Sequence, residues 1–285
     1  LKNIPCKRSV LRCRGGRKTL AGKRQRGRGN NFKGETKMRD YISPSQLNMY
    51  LRCPAQYYFR YVQNMIIPPK SALTKGKAVH KGQEVNYKQK IETQEDMKLS
   101  DVQEVVAAEF ESLAPETEWD KEEDPGKVKD EAISLASLYH VEIAPKVQPM
   151  LVEEEVLIDI PGGKLRGFID LVDMNEYIRD TKTTSRTPTQ DAIDKSLQLS
   201  AYSLAYRKEM DKSEAGVKLD YLVSTKAPKV VTLEGKRTAQ DLQRFINIVT
   251  RVMDAIQKGV FYPNQDNFMC SEKNCGYWHE CHKTF

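Results

Sequence analysis

At 285 residues and 32.6 kDa, with 39% hydrophobic and 30% charged side chains, the chain can bury one sizeable core, and none of its apolar runs approaches the length of a membrane span. This composition is that of a globular protein and excludes fibrous, membrane-spanning and disulfide-built classes. The net charge of +7 belongs to one end: residues 1–37 hold 13 of the 46 basic side chains and one of the 39 acids, Glu35, a net of +12 that leaves −5 for residues 38–285.

The basic end reads as a solvated, disordered or non-native tail, because Met38 stands directly before the first well-patterned segment. Its alternative role is a phosphate-binding arm through Lys23, Arg24, Arg26 and Arg28. Residues 38–285 are expected to form one catalytic domain. In chain order, Ser43 and Pro44 supply an N-cap and a first-turn proline for a helix through Leu47, Tyr50 and Leu51, which Pro54 interrupts. An aromatic-rich helical stretch over residues 55–61 follows, then helices over 75–90, 101–113 and 129–143. The pattern then changes. Leu151, Val152, Val156, Leu157, Ile158 and Ile160 read as a strand, the turn Pro161-Gly162-Gly163 leads into a second over 164–173, and a third over 177–183 follows Asn175. Connections this short predict an antiparallel meander. A long helix over 190–209, strands near 217–224 and 230–233, and a last helix over 239–258 complete the chain. The order predicts an α/β class with a mixed central sheet flanked by helices and a helical N-terminal portion.

Asp170 falls at the end of the second strand and Asp180-Thr181-Lys182 on the third. Alternation along a strand puts Asp180 and Lys182 on one face, so two carboxylates and an ammonium can converge. Hard divalent cations such as Mg2+ or Mn2+ take oxygen ligands, which suits Asp170 and Asp180. Lys182 can orient or deprotonate an attacking water and stabilise charge building on a phosphate. An Asp-x-Lys alone is more often a surface ion pair. Gln198 and Tyr202, four apart on a helix, share a face where amide and phenol could bond a substrate or merely pack on the sheet.

Taken in order, Gly167-Phe168-Ile169-Asp170, Asp180-Thr181-Lys182-Thr183 and Gln198-Leu199-Ser200-Ala201-Tyr202 resemble the successive motifs of PD-(D/E)XK nucleases of the RecB-like branch. The resemblance covers most of residues 40–285. It implies a restriction-endonuclease-like core in which Asp170 and Asp180 bind metal and Lys182 serves the hydrolytic water. His80, in Gly76-Lys77-Ala78-Val79-His80, resembles the helical histidine of that branch, which implies a further metal ligand; Glu84, four residues on, is a candidate partner for it. Members often carry a glutamate on the first strand, and among Glu153, Glu154 and Glu155 the reading favours Glu153, with Glu155 on the same face.

Of the six cysteines, Cys6 and Cys13 fall in the basic end, Cys53 stands alone, and Cys270, Cys275 and Cys281 crowd the C-terminus, an arrangement of ligands in a reducing cytoplasm rather than of disulfides. The opening from Ser43-Pro44-Ser45-Gln46-Leu47 through Cys53-Pro54, with Tyr57, Tyr58 and Phe59 behind it and Tyr277-Trp278 before the last cysteine, resembles the iron–sulfur nucleases of the branch. CRISPR-associated exonucleases and the helicase–nucleases of bacterial recombination are examples. That implies a 4Fe–4S cluster on Cys53, Cys270, Cys275 and Cys281, joining the two ends of the fold. Zinc on four thiolates, or with His279 or His282 replacing one, is the alternative that spacing leaves open.

The resulting expectation is a Mg2+- or Mn2+-dependent single-strand DNA exonuclease of recombination, repair or phage DNA processing, with Tyr57, Tyr58 and Tyr202 available to stack on bases or to fill the core. No Walker-type sequence is present, so a helicase partner would be a separate chain. The rival readings are a CRISPR-adaptation nuclease of the same fold and a non-catalytic nucleic-acid-binding protein with a structural zinc site.

Overall fold

The computed structural model describes residues 39–285; the basic end, with Cys6 and Cys13, lies outside the described residues. A two-residue strand β1 (Tyr41–Ile42) precedes α1 (Pro44–Arg52), whose first amides are capped by the Ser43 hydroxyl accepting from Gln46 N at 3.2 Å. Cys53 is extended, and Pro54 restarts the chain as α2 (Pro54–Tyr57), which widens into a π-helical turn at Tyr58–Val62. Three long helices follow: α3 (Ser71–Thr93), α4 (Leu99–Leu113) and α5 (Pro125–Glu142). The meander is β2 (Pro149–Ile160), β3 (Gly163–Asp173) and β4 (Tyr177–Thr184), antiparallel throughout. Then come α6 (Asp191–Asp194), α7 (Leu197–Met210), β5 (Gly216–Val223), β6 (Lys229–Gly235), α8 (Ala239–Gln257) and α9 (Trp278–Thr284). None of these helices is long and apolar enough to cross a membrane.

The elements form a mixed α/β fold. Among the described residues all six strands join one sheet, in which β1 lies parallel to β3, β4 lies parallel to β5, and the remaining pairs are antiparallel. One face packs on α1, α7 and α8 through Ile42, Leu47, Ile158, Leu165, Ile178, Leu199, Leu219 and Phe245. The other packs on α3, α4 and α5 through Val79, Val106, Leu135, Tyr139, Leu171 and Leu222. Helices on both faces of a largely apolar sheet account for the burial of the parallel pair β4–β5.

The helix expected over 190–209 is two. Ser196 accepts from Leu199 N at 3.2 Å and caps α7 afresh, while the buried Arg237 guanidinium ties the two segments by donating to the carbonyls of Ile193 at 2.6 Å and Ser196 at 3.3 Å. The strand β1 and the helix α9 were not expected; both are short and held by tertiary contacts rather than by pattern.

Candidate active site

The β3–β4 ladder consists of two pairs, Leu171 with Arg179 and Val172 with Ile178. Beyond them β3 continues with β2 and, at its other end, with β1, while β4 continues with β5 alone, so β3 and β4 part. Continuing the register one step puts Asp170 opposite Asp180, at the mouth of the split. Through this opening α3 reaches from one face and α7 from the other, and the two meet around the same carboxylates.

From the α7 side, Lys182 donates to Asp180 Oδ1 at 2.9 Å and to Gln198 Oε1 at 3.0 Å. The Gln198 amide in turn donates to Asp180 Oδ1 at 3.0 Å and to the Tyr202 hydroxyl at 2.8 Å. Asp180, Lys182, Gln198 and Tyr202 thus form one connected network, anchored on a carboxylate whose side chain has no exposed surface. Its Oδ2, 2.8 Å from Lys182 Nζ, has no hydrogen bond of acceptable direction.

From the α3 side, His80 Nε2 lies 2.8 Å from the Thr181 carbonyl and Nδ1 lies 3.6 Å from Asp170 Oδ2. A carbonyl only accepts, so Nε2 carries the hydrogen and donates it. Burial, the largest influence, depresses the His80 pKa, with Lys182 acting in the same sense and Asp180 and the Thr181 carbonyl opposing. The neutral ring therefore presents an unprotonated Nδ1 to a carboxylate oxygen. These facing lone pairs are relieved by a proton on Asp170 or by a cation bound between them, and a backbone carbonyl holding the other ring N–H is the usual support of a metal-binding histidine.

Electrostatics favour a cation for the same reason. Burial, then the neighbouring Asp180 charge, pushes Asp170 well above the usual carboxylate range, and Lys182 offsets this only in part. Burial alone would lower the Lys182 pKa, but the Asp180 and Asp170 carboxylates outweigh it and hold it above the ordinary lysine value. Lys182 is accordingly a cation. Tyr202 is raised by burial and by the same two carboxylates, so it stays a neutral phenol.

His80, Asp170, Thr181 and Lys182 line a cleft of about 630 Å³ that also takes in Lys77, Lys81, Glu84, Glu109, Glu153 and Thr183, whereas Asp180, Gln198 and Tyr202 are not among its lining residues. Glu84 is met by Lys81 at 3.0 Å and Lys88 at 2.6 Å. Tyr57 is buried between Tyr50 and Phe261, and Tyr58 packs on Phe261 and Phe285, so neither is a base-stacking platform of the cleft: core packing claims them. Sequence reasoning missed Glu109 and the Thr181 carbonyl, the latter because a backbone acceptor leaves no signature in side-chain identity.

The four cysteines line a second cavity of about 510 Å³, shared with Gln56, Tyr277 and His282. Gln56 donates to Cys275 Sγ and the Asn264 amide to Cys53 Sγ, each at 3.4 Å. Burial and then the other thiols raise the Cys270 and Cys281 pKa values. His279 lies with Glu272 at the surface, and His282 is held by the Trp278 carbonyl at 2.9 Å. Among the described residues, no group of three or more His, Cys, Asp or Glu side chains is placed so that it could hold a metal ion as it stands.

The family model of the PD-(D/E)XK nuclease superfamily matches residues 41–282. The chain belongs to the PD-(D/E)XK nuclease superfamily. No curated protein matches the nuclease in sequence. A crystal structure from Eubacterium rectale, provisionally named an exonuclease, is similar to it at TM-score 0.57 and 14% identity, over 90% of this chain and 94% of that one, a likeness of fold. A second solved structure, SSO0001, is 14% identical over 88% of each chain at TM-score 0.38, too low to carry an argument. Nucleases of this superfamily generally use divalent metals such as Mg2+ or Mn2+ and act on nucleic acid.

Proposed function

We propose that the nuclease is a Mg2+- or Mn2+-dependent single-strand DNA exonuclease of the RecB-like branch, serving recombination, repair or phage DNA processing, with a 4Fe–4S cluster on Cys53, Cys270, Cys275 and Cys281. The observation that carries the metal reading is the His80–Asp170 pair, a neutral imidazole nitrogen and a carboxylate oxygen facing each other at 3.6 Å. His80, Asp170 and Asp180 are the residues to hold the cation, with substrate phosphate and water completing its surroundings, as Mg2+ commonly requires.

A divalent cation bound there supplies polarisation of the scissile phosphate and neutralises charge as it builds. The chain's own part is placement. Lys182, held protonated, donates to the attacking water and to the developing phosphate charge rather than acting as a base. Gln198 fixes its position, and Tyr202 fixes Gln198. Hydrolysis forms one phosphorus–oxygen bond and breaks another. A cleft sunk at a split between strands, with Lys77 and Lys81 among its walls, favours a single flexible backbone over a rigid duplex.

Four thiols spread round the walls of one cavity suit a polynuclear group, whereas a single zinc ion needs four sulfurs drawn to within about 2.3 Å of one point. The two N–H···S contacts suit thiolate ligands of either kind.

The test is anaerobic purification, a visible absorption spectrum, and degradation of end-labelled single-stranded DNA with Mn2+, comparing wild type with Lys182→Ala. A brown protein whose cleavage rate falls about 10²–10³-fold in the variant is the expected result. A colourless, zinc-containing protein with no lysine-dependent cleavage sinks the reading in favour of a non-catalytic nucleic-acid-binding protein. Neighbouring genes separate recombination from CRISPR adaptation.

A further inference from the structure

β2 turns at Glu153, whose φ of +51° lies in the left-handed region, and at this level the β2–β3 pair exchanges layers. Val152 and Leu171 pack with α3, α4 and α5, whereas Val156, Ile158 and Ile160, with Leu165 and Ile169 opposite them, pack with α7 and α8. Alternation therefore turns Glu155, Leu157 and Asp159 on β2, and Lys164, Arg166 and Phe168 on β3, to the other side. That side is open to solvent: Phe168 is 45% and Leu157 50% exposed, and Glu155 and Asp159 are exposed with them.

Lone apolar residues on a solvated sheet are ordinary, but here they are grouped with aromatic rings and arginines. Phe168 pairs across the strands with Glu155 and Arg166 with Leu157, which makes Phe168 and Leu157 diagonal neighbours. β1 widens the face: Ile42 pairs with Leu165 and is buried in the same layer, so Tyr41 before it turns outward. The Arg166 guanidinium lies 5.3 Å over the Tyr41 ring and that of Arg39 5.8 Å over it, and Arg39 also lies 5.3 Å over Tyr61. Lys164, Arg166 and Arg39 share the face with two acids, Glu155 and Asp159, of which Glu155 is engaged by Arg166 at 2.7 Å.

This face runs straight into the active site. Asp170, which lines the cleft with His80 and Lys182, stands two residues from Phe168, and Arg166 two residues further back, steps of about 7 Å along a strand that match the reach of one extended nucleotide. Rings in line with guanidinium groups are what hold a single strand without reading its sequence, since every base offers a stacking face and every step a phosphate.

Building on the nuclease reading above, we infer that the open face of β3 is the track on which single-stranded DNA lies next to the scissile position, with a base stacked on Phe168, a phosphate on Arg166, and Tyr41 holding the Arg166 and Arg39 guanidinium groups in line.

The test is anisotropy of a fluorescein-labelled oligothymidylate of about 20 nucleotides, long enough to span the face, titrated with the full chain in EDTA over a salt series, beside degradation of the same oligonucleotide with Mn2+. Phe168→Ala is expected to weaken binding about tenfold with the salt dependence unchanged. Arg166→Gln is expected to weaken it and to lower the slope of log affinity against log salt by about 0.7, the share of one phosphate contact on a single strand. Glu155→Gln, which releases Arg166 from its ion pair, is expected to tighten binding about twofold to fivefold. Phe168→Leu, which keeps the apolar bulk and loses the ring, repeats the measurement if Phe168→Ala does not fold. Affinity within twofold of wild type in both the Phe168 and Arg166 variants, or no wild-type binding, while wild type still degrades the oligonucleotide, overturns this inference and leaves the nuclease reading standing. A wild-type dimer that Phe168→Ala dissociates, with DNA affinity unchanged, overturns it in favour of a contact between copies. Wild type that neither binds nor degrades the oligonucleotide overturns both readings.

Discussion

Directly behind Asp180 the protein buries an ion pair. Arg179 donates to Asp220 through Nε at 3.1 Å and Nη2 at 2.8 Å, and Thr232 donates to the same carboxylate at 2.6 Å. Asp220 has no exposed side-chain surface, and Asp173 lies 3.5 Å from the guanidinium. Burial would lower the Arg179 pKa, but the Asp220 charge outweighs it. Such pairs contribute little net stability when intact and cost much when halved. Arg179 pairs with Leu171 at the end of the β3–β4 ladder, so this buried pair ties β4 to β5 at the level where β3 and β4 part. Asp220→Ala is expected to destabilise the fold by about 3–5 kcal/mol in urea denaturation, because it strands a guanidinium in the core. The motif residues were legible at this scale in a way that Arg179 and Asp220 were not. Asp180-x-Lys182 advertises itself by alternation on one strand, whereas Arg179 and Asp220 lie on different strands and meet only through the parallel β4–β5 register.

Helix ends decide the placement of two elements that flank the site. On α8, Thr238 and Asp241 form a reciprocal capping box, with Asp241 N donating to the Thr238 hydroxyl at 3.1 Å and Thr238 N donating to the Asp241 carboxylate at 2.8 Å. Thr238→Ala is expected to cost about 1 kcal/mol, read from the urea midpoint. Hydrogen bonds from the Thr238 side chain and backbone lower the Asp241 pKa. A carboxyl with a depressed folded pKa contributes stability above its unfolded value and loses it as pH falls through the folded one, so the Thr238→Ala difference should shrink below the ordinary aspartate range. On α7 the cap decides more. The run over 190–209 carries helix-forming residues throughout, and nothing in its periodicity marks Ser196 as a break. The break is marked by the Ser196 cap and by Arg237, which arrives from the loop after β6 and donates to the carbonyls of Ile193 and Ser196. As a result α7 starts just ahead of Gln198, the residue that positions Lys182.

At the scale of the whole molecule, the N-terminal helices and the C-terminal segment are sewn together by backbone and side-chain bonds. Tyr50 donates to the Val260 carbonyl at 2.6 Å, Ala55 N to the Tyr262 carbonyl at 3.0 Å, and Asn264 to the Arg52 carbonyl at 3.0 Å. Cys53 sits in the middle of this seam. Under the proposed cluster, Cys53→Ser and Cys281→Ser each lose the visible chromophore and melt at a lower temperature than wild type, because metal binding is coupled to folding of the segments it joins. Unchanged colour in both variants counts against these residues as cluster ligands.

The sequence by itself determined the succession of long helices and strands, the meander, the mixed sheet and the side-by-side placement of Asp180 with Lys182 and of Gln198 with Tyr202. Each of these follows from local periodicity or from a turn a few residues long. Only the tertiary structure decided where β3 and β4 part, which nitrogen of His80 is free, and the left-handed turn of β2 at Glu153, the glutamate the sequence reading favoured, which separates it from the face of Glu155. Those depend on hydrogen bonds between residues tens of positions apart and on a left-handed backbone at a single glutamate, and neither leaves a periodic trace in the chain.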